Sequence, residues 1–137
     1  MSQVNKDALL GAYGALWSRG DPEAIENHYT SDYVWHGPGG QEVRGHGELR
    51  QTMEAFRSAL PDLSLENQHL VAEGDMVASR WTASGTHNGD FMGTAPTGKT
   101  VRMTLTIITR FVDGKLAEEW EDFDQYLMLQ QIGALPA

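Results

Sequence analysis

Residues 100–133 read TVRMTLTIITRFVDGKLAEEWEDFDQYLMLQQIG, which parses into a strand, a tight turn, a second strand and a short terminal helix. Thr, Val and Ile alternate with other residues in the first run, the period of a half-buried strand. Asp113-Gly114 supplies the turn, because a two-residue type I′ hairpin needs positive φ at both central positions. That turn sets Val112 opposite Lys115 and Phe111 opposite Leu116, and regular pairing extends the register from there. One face is expected to carry Met103, Leu105, Ile107 and Phe111 opposite Asp124, Asp122, Trp120 and Leu116, with Glu118 opposite Thr109. The other is expected to carry Arg102, Thr104, Thr106, Ile108 and Arg110 with Phe123, Glu121, Glu119 and Ala117.

This register sets Glu118, Asp122 and Asp124 on the apolar face. A carboxylate there loses hydration in its charged form, so its pKa rises and it can exchange a proton near neutral pH. Asp122 and Asp124 are therefore candidates for acid/base work, each with the plain alternative of reaching water at the strand rim. Glu119 and Glu121 are expected on a solvated edge.

Upstream, Asn5 is expected to cap a helix that carries Leu9, Tyr13, Leu16 and Trp17 at helical spacing and ends near Arg19-Gly20. Asp21-Pro22-Glu23 opens a second, short helix running to about Tyr29. Residues 32–36 read as a short strand closed by Gly37-Pro38-Gly39-Gly40, with Val34 and His36 on one side and Tyr33 and Trp35 on the other. Leu49, Met53, Phe56 and Leu60 mark an amphipathic helix from Gly47, ended by Pro61. Two strands follow, near residues 63–72 and 76–86, in which the alternation does not fix the faces of Arg80 and Trp81. Residues 88–98 form a glycine-rich connection. The sum is a single domain over residues 1–137, α+β in class, with helices gathered against one side of a largely antiparallel sheet.

Composition narrows the function. With 19 acidic and 10 basic residues the net charge is −9, a field that disfavours nucleic acid and anionic membrane surfaces as partners. The absence of cysteine excludes disulfides, thiolate catalysis and Cys-ligated metal sites. No apolar run approaches a membrane span or a signal-peptide core, so the expectation is a soluble, cytoplasmic protein. The five histidines show no metal-ligand spacing, and no serine sits in a GxSxG elbow. Gly93-Thr94-Ala95-Pro96-Thr97-Gly98-Lys99-Thr100 does match the phosphate-loop pattern GxxxxGK[ST]. That pattern makes an anion site only where a helix begins at its lysine, and here the lysine opens a strand.

Several runs together resemble the SnoaL-like polyketide cyclase (ester cyclase) family. They are Gly85-Thr86-His87-Asn88-Gly89-Asp90-Phe91-Met92-Gly93, Pro96-Thr97-Gly98-Lys99, and Asp113-Gly114-Lys115-Leu116-Ala117-Glu118-Glu119-Trp120 with Asp124 and Gln131-Ile132-Gly133. The resemblance implies an NTF2-like cone, a curved sheet around a pocket closed by the N-terminal helices. It implies an intramolecular aldol condensation on a small apolar carbonyl or polyketide-like ester, without metal, nucleotide or other cofactor. Matched to the family's motif, the catalytic aspartate is Asp124. His36 or His87 would hydrogen-bond a substrate oxygen, and Trp17, Phe56, Met103 and Trp120, with Asp122, would bind substrate.

The cone also hosts other chemistry. A non-catalytic ligand-binding or dimerisation module predicts Asp124 paired to Arg80 or Arg102, and an epoxide or lactone hydrolase needs a water held by Asp124 and a histidine. The face bearing Ile108 and Phe123 suits a homodimer contact.

Overall fold

The computed structural model describes residues 2–135. Helix α1 (Ser2–Tyr13) continues through a π-helical turn at Gly14–Ser18, and Gly20, at φ 68°, ends it. Asn5 does not cap this helix as expected; it lies inside α1 and is buried. Helix α2 (Glu23–His28) follows, its first turn held by the Glu23 amide donating to Asp21 Oδ1 at 3.0 Å. Then come β1 (Tyr29–His36), β2 (Glu42–Arg44), α3 (Gly45–Ala59), β3 (Ser64–Glu73), β4 (Met76–Thr86), β5 (Thr100–Val112), β6 (Lys115–Phe123) and α4 (Gln125–Gln131).

The strands form one sheet in the order β2-β1-β6-β5-β4-β3. Only β1 and β6 run parallel; every other neighbouring pair is antiparallel. β2 was not expected, since three residues with one buried side chain, Val43, carry no readable period. Register shifts within β1, at residues 67–69 of β3 and at the β5–β6 hairpin bend the sheet, as extra residues in a ladder do. At the β3 irregularity the Asn67 side-chain amide donates to the carbonyls of His69 and Arg80.

The hairpin turn is as expected: Asp113 and Gly114 have φ of 51° and 79°, and Val112 faces Lys115. The register beyond it is not. Phe111 pairs with Leu116, but Arg110 pairs with Glu118, which leaves Ala117 as an extra residue without a partner on β5. Leu116 and Ala117 are consecutive and both buried, the signature of a bulge. One inserted residue reverses every side chain that follows. Thr109 therefore faces Glu119, Ile107 faces Glu121 and Leu105 faces Phe123. The expected pairings of Ile107 with Trp120, Leu105 with Asp122 and Met103 with Asp124 are corrected accordingly.

The concave side of the sheet packs on the helices as two apolar clusters. One gathers Leu9, Leu16, Ile25, Tyr33, Trp81 and Ile107 beneath α1 and α2. The other gathers Leu60, Phe91, Val101, Met103, Met128 and Ile132 beneath α4 and the end of α3. Leu65 and Leu105 touch both. Lys99 leads into β5 rather than into a helix, so the phosphate-loop match is a strand connection. That connection is pinned to α3, because the amides of Asn88 and Gly89 donate to the Ala59 carbonyl at 3.0 and 3.1 Å.

A Cβ on Gly89 would lie 2.1 Å from the Ser58 carbonyl oxygen, a backbone atom that cannot swing aside, whereas one on Gly47 within α3 would meet nothing within 4 Å. Gly89→Ala is therefore expected to cost roughly 2 kcal/mol through forced backbone shifts. Gly47→Ala is expected to gain roughly 0.5–1 kcal/mol through helix propensity. Urea unfolding of the two variants beside the parent checks both signs.

Candidate active site

Between the two apolar clusters the cone holds a partly open cavity of about 110 Å³, walled by Tyr13, Trp17, Trp35, Phe56, Trp81 and Met103 among others. Each wall follows from local structure. Tyr13 and Trp17 are one helical turn apart at the end of α1 and its π-helical extension, so both project the same way. Tyr33 and Trp35 alternate on β1, as expected. Phe56 falls on the apolar stripe of α3 and meets Trp17 edge to face at 6.1 Å.

Two carboxyl groups face this space, Glu119 and Glu121, both turned inward by the bulge before them. Glu119 is buried and lies among hydroxyls. Tyr13 donates a short hydrogen bond to Oε2, Thr109 donates to the same oxygen at 2.6 Å, and Tyr33 donates to Oε1 at 2.6 Å. Burial raises the Glu119 pKa, and the hydrogen bonds from Thr109, Tyr13 and Tyr33 oppose that rise. The same burial, with the Glu119 charge nearby, holds the Tyr13 and Tyr33 phenols well above their ordinary value.

Glu121 sits two residues on and is less enclosed. Trp35 Nε1 donates to its Oε1 at 2.9 Å. Loss of hydration is the main cause that pushes its pKa up from 4.5 to about 7, with smaller contributions from the charges of Glu119 and Asp122, against the Trp35 hydrogen bond. A carboxyl group that is half ionised at neutral pH inside an apolar cavity can both take and return a proton.

The structure divides the residues expected from the sequence. Trp17, Phe56 and Met103 line the cavity. Asp124 does not: it is exposed, lies one residue past β6, and its Oδ1 caps α4 by accepting from the Leu127 amide at 2.9 Å. Among the described residues it forms no ion pair with Arg80 or Arg102. Asp122 and Trp120 are exposed on the convex face, opposite Thr106 and Ile108. His36 shares that face, stacked on the Trp120 ring at 5.6 Å with its Nε2 2.7 Å from Glu118 Oε2. Glu118 in turn accepts from Arg110 at 3.2 Å; the His36 hydrogen bond, then that from Arg110, hold its pKa below the usual carboxylate range. His87 is buried but does not line the cavity. Its Nδ1 is 2.9 Å from Thr97 Oγ1, and its main chain bonds Lys99 and Gly98, so it staples the loop before β5.

Glu119 and Glu121 escaped the sequence reading because either phase of β6 buries acids: 118, 122 and 124 in one, 119 and 121 in the other. The available signal was the adjacent apolar pair Leu116-Ala117, which a regular alternating strand does not need.

A carboxyl group with a raised folded-state pKa contributes stability that is complete below the unfolded value and is lost as pH rises through the folded one. For Glu121 that window runs from 4.5 to about 7. Glu121→Gln, which keeps an oxygen for Trp35, is expected to raise unfolding free energy at pH 8 by roughly 2–3 kcal/mol. It is also expected to flatten the decline between pH 5 and 8 (roughly). Denaturant titrations across that range measure both.

Comparison with solved structures places the cone in context. AclR of Streptomyces galilaeus, a proposed hydroxylase, is 36% identical over 100% of this chain and 85% of its own, with a TM-score of 0.87. IdmH of Streptomyces antibioticus, a proposed polyketide cyclase, is 32% identical over 94% of this chain and 98% of its own, with a TM-score of 0.81. A SnoaL-like protein of Jannaschia sp. CCS1, at 20% identity over 98% of this chain and 95% of its own, shares the fold with a TM-score of 0.90. A comparison with curated proteins finds no match. Residues 7–132 match the family description "SnoaL-like polyketide cyclase", and the chain belongs to that family.

Proposed function

We propose that this protein is an acid/base enzyme of the cyclase type, acting on a small apolar carbonyl compound with Glu121 as its proton-transfer group. The observation that carries this reading is a carboxyl group with a pKa of about 7 facing an aromatic-walled cavity. The ionised Glu121 takes a proton from a carbon flanked by carbonyl groups, leaving an enolate delocalised over the substrate. The enolate carbon forms a bond to a second carbonyl carbon, whose oxygen becomes an alkoxide and receives the proton back from Glu121. No atom is left over, so the product is an isomer of the substrate. Trp35 positions the carboxyl group through its hydrogen bond, and Trp17, Phe56 and Met103 exclude water from the enolate. The apolar walls and the family's polyketide description support the carbonyl class.

Glu121→Gln is expected to lower turnover of a reactive 1,3-dicarbonyl substrate by about 10²- to 10⁴-fold, the usual worth of a positioned acid/base. The parent kcat/KM should rise with pH through about 7, where the base becomes ionised. Asp124→Asn should keep turnover within about twofold, since that side chain faces solvent. Loss of activity in Asp124→Asn with a silent Glu121→Gln would reverse the assignment.

A homodimer across the convex face remains part of this proposal, because Ile108 and Trp120 are 42% and 38% exposed there. Phe123, which lines the cavity, is not available to it. Light scattering should give the mass of two chains for the parent and of one chain for Ile108→Lys.

A further inference from the structure

The cavity joins aromatic walls to an unusual charge pattern. Three tryptophans, Trp17, Trp35 and Trp81, line it together with Tyr13, Tyr33 and Phe56. Four of these rings pack in two contact pairs along the wall: Trp17 meets Phe56 edge to face at 81°, and Tyr13 meets Trp81 at 49° with ring centres 5.1 Å apart. Among the described lining residues the titratable groups are Tyr13 from α1, Tyr33 from β1, and Glu119 and Glu121 from β6; α3, α4 and strands β2 to β5 contribute none. No lysine, arginine or histidine of the described lining offsets the two carboxyl groups. The side-chain hydrogen-bond partners of Glu119 are neutral hydroxyls, so no cation offsets its negative charge when it is ionised.

Buried acids are ordinarily paired with a cation or neutralised by a proton. Aromatic rings attract cations through their quadrupoles, most strongly where water is excluded, and six aromatic residues line this space. A cation entering this space would therefore gain from both walls and carboxyl groups, and a free carboxylate or phosphate would be repelled by both. Size limits it further. An apolar protein cavity of about 150 Å³ holds one benzene molecule, and this one measures about 110 Å³. The cavity is partly open, so a compact head group of about five heavy atoms can sit inside it while the rest of a larger molecule extends from the mouth.

We infer that the cavity is a binding site for a small alkylammonium group on a free ligand, of which trimethylammonium is the best-fitting example. Cation binding needs the cavity and its carboxyl groups but no turnover, so it can fail while the acid/base proposal stands, and the reverse.

Calorimetry with choline and its uncharged carbon isostere, 3,3-dimethyl-1-butanol, separates charge from shape on the unaltered protein. At pH 8 and moderate salt, choline should bind about tenfold or more tightly than the isostere. At pH 7 its binding should release protons, seen as a dependence of the observed heat on the buffer's ionisation enthalpy, because Glu121 is then partly protonated. Glu121→Gln should abolish the proton release and most of the preference. Trp17→Leu should weaken choline more than the isostere. Asp124→Asn, which alters a surface acid, should change neither. Equal affinity for the two compounds, no binding of choline at tens of millimolar (roughly), or a preference unchanged in Glu121→Gln would each overturn the assignment.

Discussion

A buried carboxylate that is solvated by three hydroxyl groups from three different elements organises the interior of this cone. Glu119 of β6 accepts from Tyr13 of α1, Tyr33 of β1 and Thr109 of β5. Taking a carboxylate out of water is costly, and charge-assisted hydrogen bonds from fixed donors are what offset the cost. Because the donors are neutral, they stabilise the ionised form without a compensating positive charge, and burial still raises the Glu119 pKa. The same contacts lock the N-terminal helix over the sheet and fix the parallel β1–β6 pair, the one join in the sheet that no hairpin enforces. Structure and chemistry therefore share a residue: the group that closes the cone also helps hold Glu121 near neutrality.

Successive carboxylates of β6 show how fully environment overrides residue type. Glu118 points to the convex face, where His36 and Arg110 stabilise its charge and its pKa falls. Glu119 and Glu121 point to the concave face, where lost hydration dominates and theirs rise. Alternation of side chains about a strand converts adjacent, chemically identical residues into a surface ion-pair network and a candidate catalyst. The outer network runs from Arg110 through Glu118 to His36, and His36 Nδ1 lies 3.6 Å from Glu42 on the edge strand, so it laces β5, β6, β1 and β2 together.

The bulge at Ala117 decides which acid goes where. It lies directly beyond a turn whose own geometry followed from Asp113-Gly114, and its presence reflects packing. Leu116 is completely enclosed in the apolar cluster beneath the helices, and Ala117 after it is buried as well. Keeping both side chains in the core requires one residue to fall out of the ladder, and Ala is small enough to do so. The consequence reaches along the rest of β6, since Trp120 is moved out to stack on His36 and Phe123 is brought in to the cavity.

The sequence by itself determined the class, the strands β3 to β6, the helix α3 and its amphipathic face, the sharing of one side of β1 by Tyr33 and Trp35, and the turn at residues 113–114. These rest on local periodicity and on backbone preferences that act over a few residues. It also carried the family resemblance, and with it the cone. It did not determine the start of α1, the three-residue strand β2, or which face of β6 lines the cavity. A helix start set by packing, a strand too short to show a period and a bulge all depend on partners distant in the chain. Asp124 and Glu121 are equally acidic letters in the sequence. Only the tertiary structure, by adding one unpaired residue between them and the turn, gave Glu121 an apolar cavity and left Asp124 to cap a helix in water.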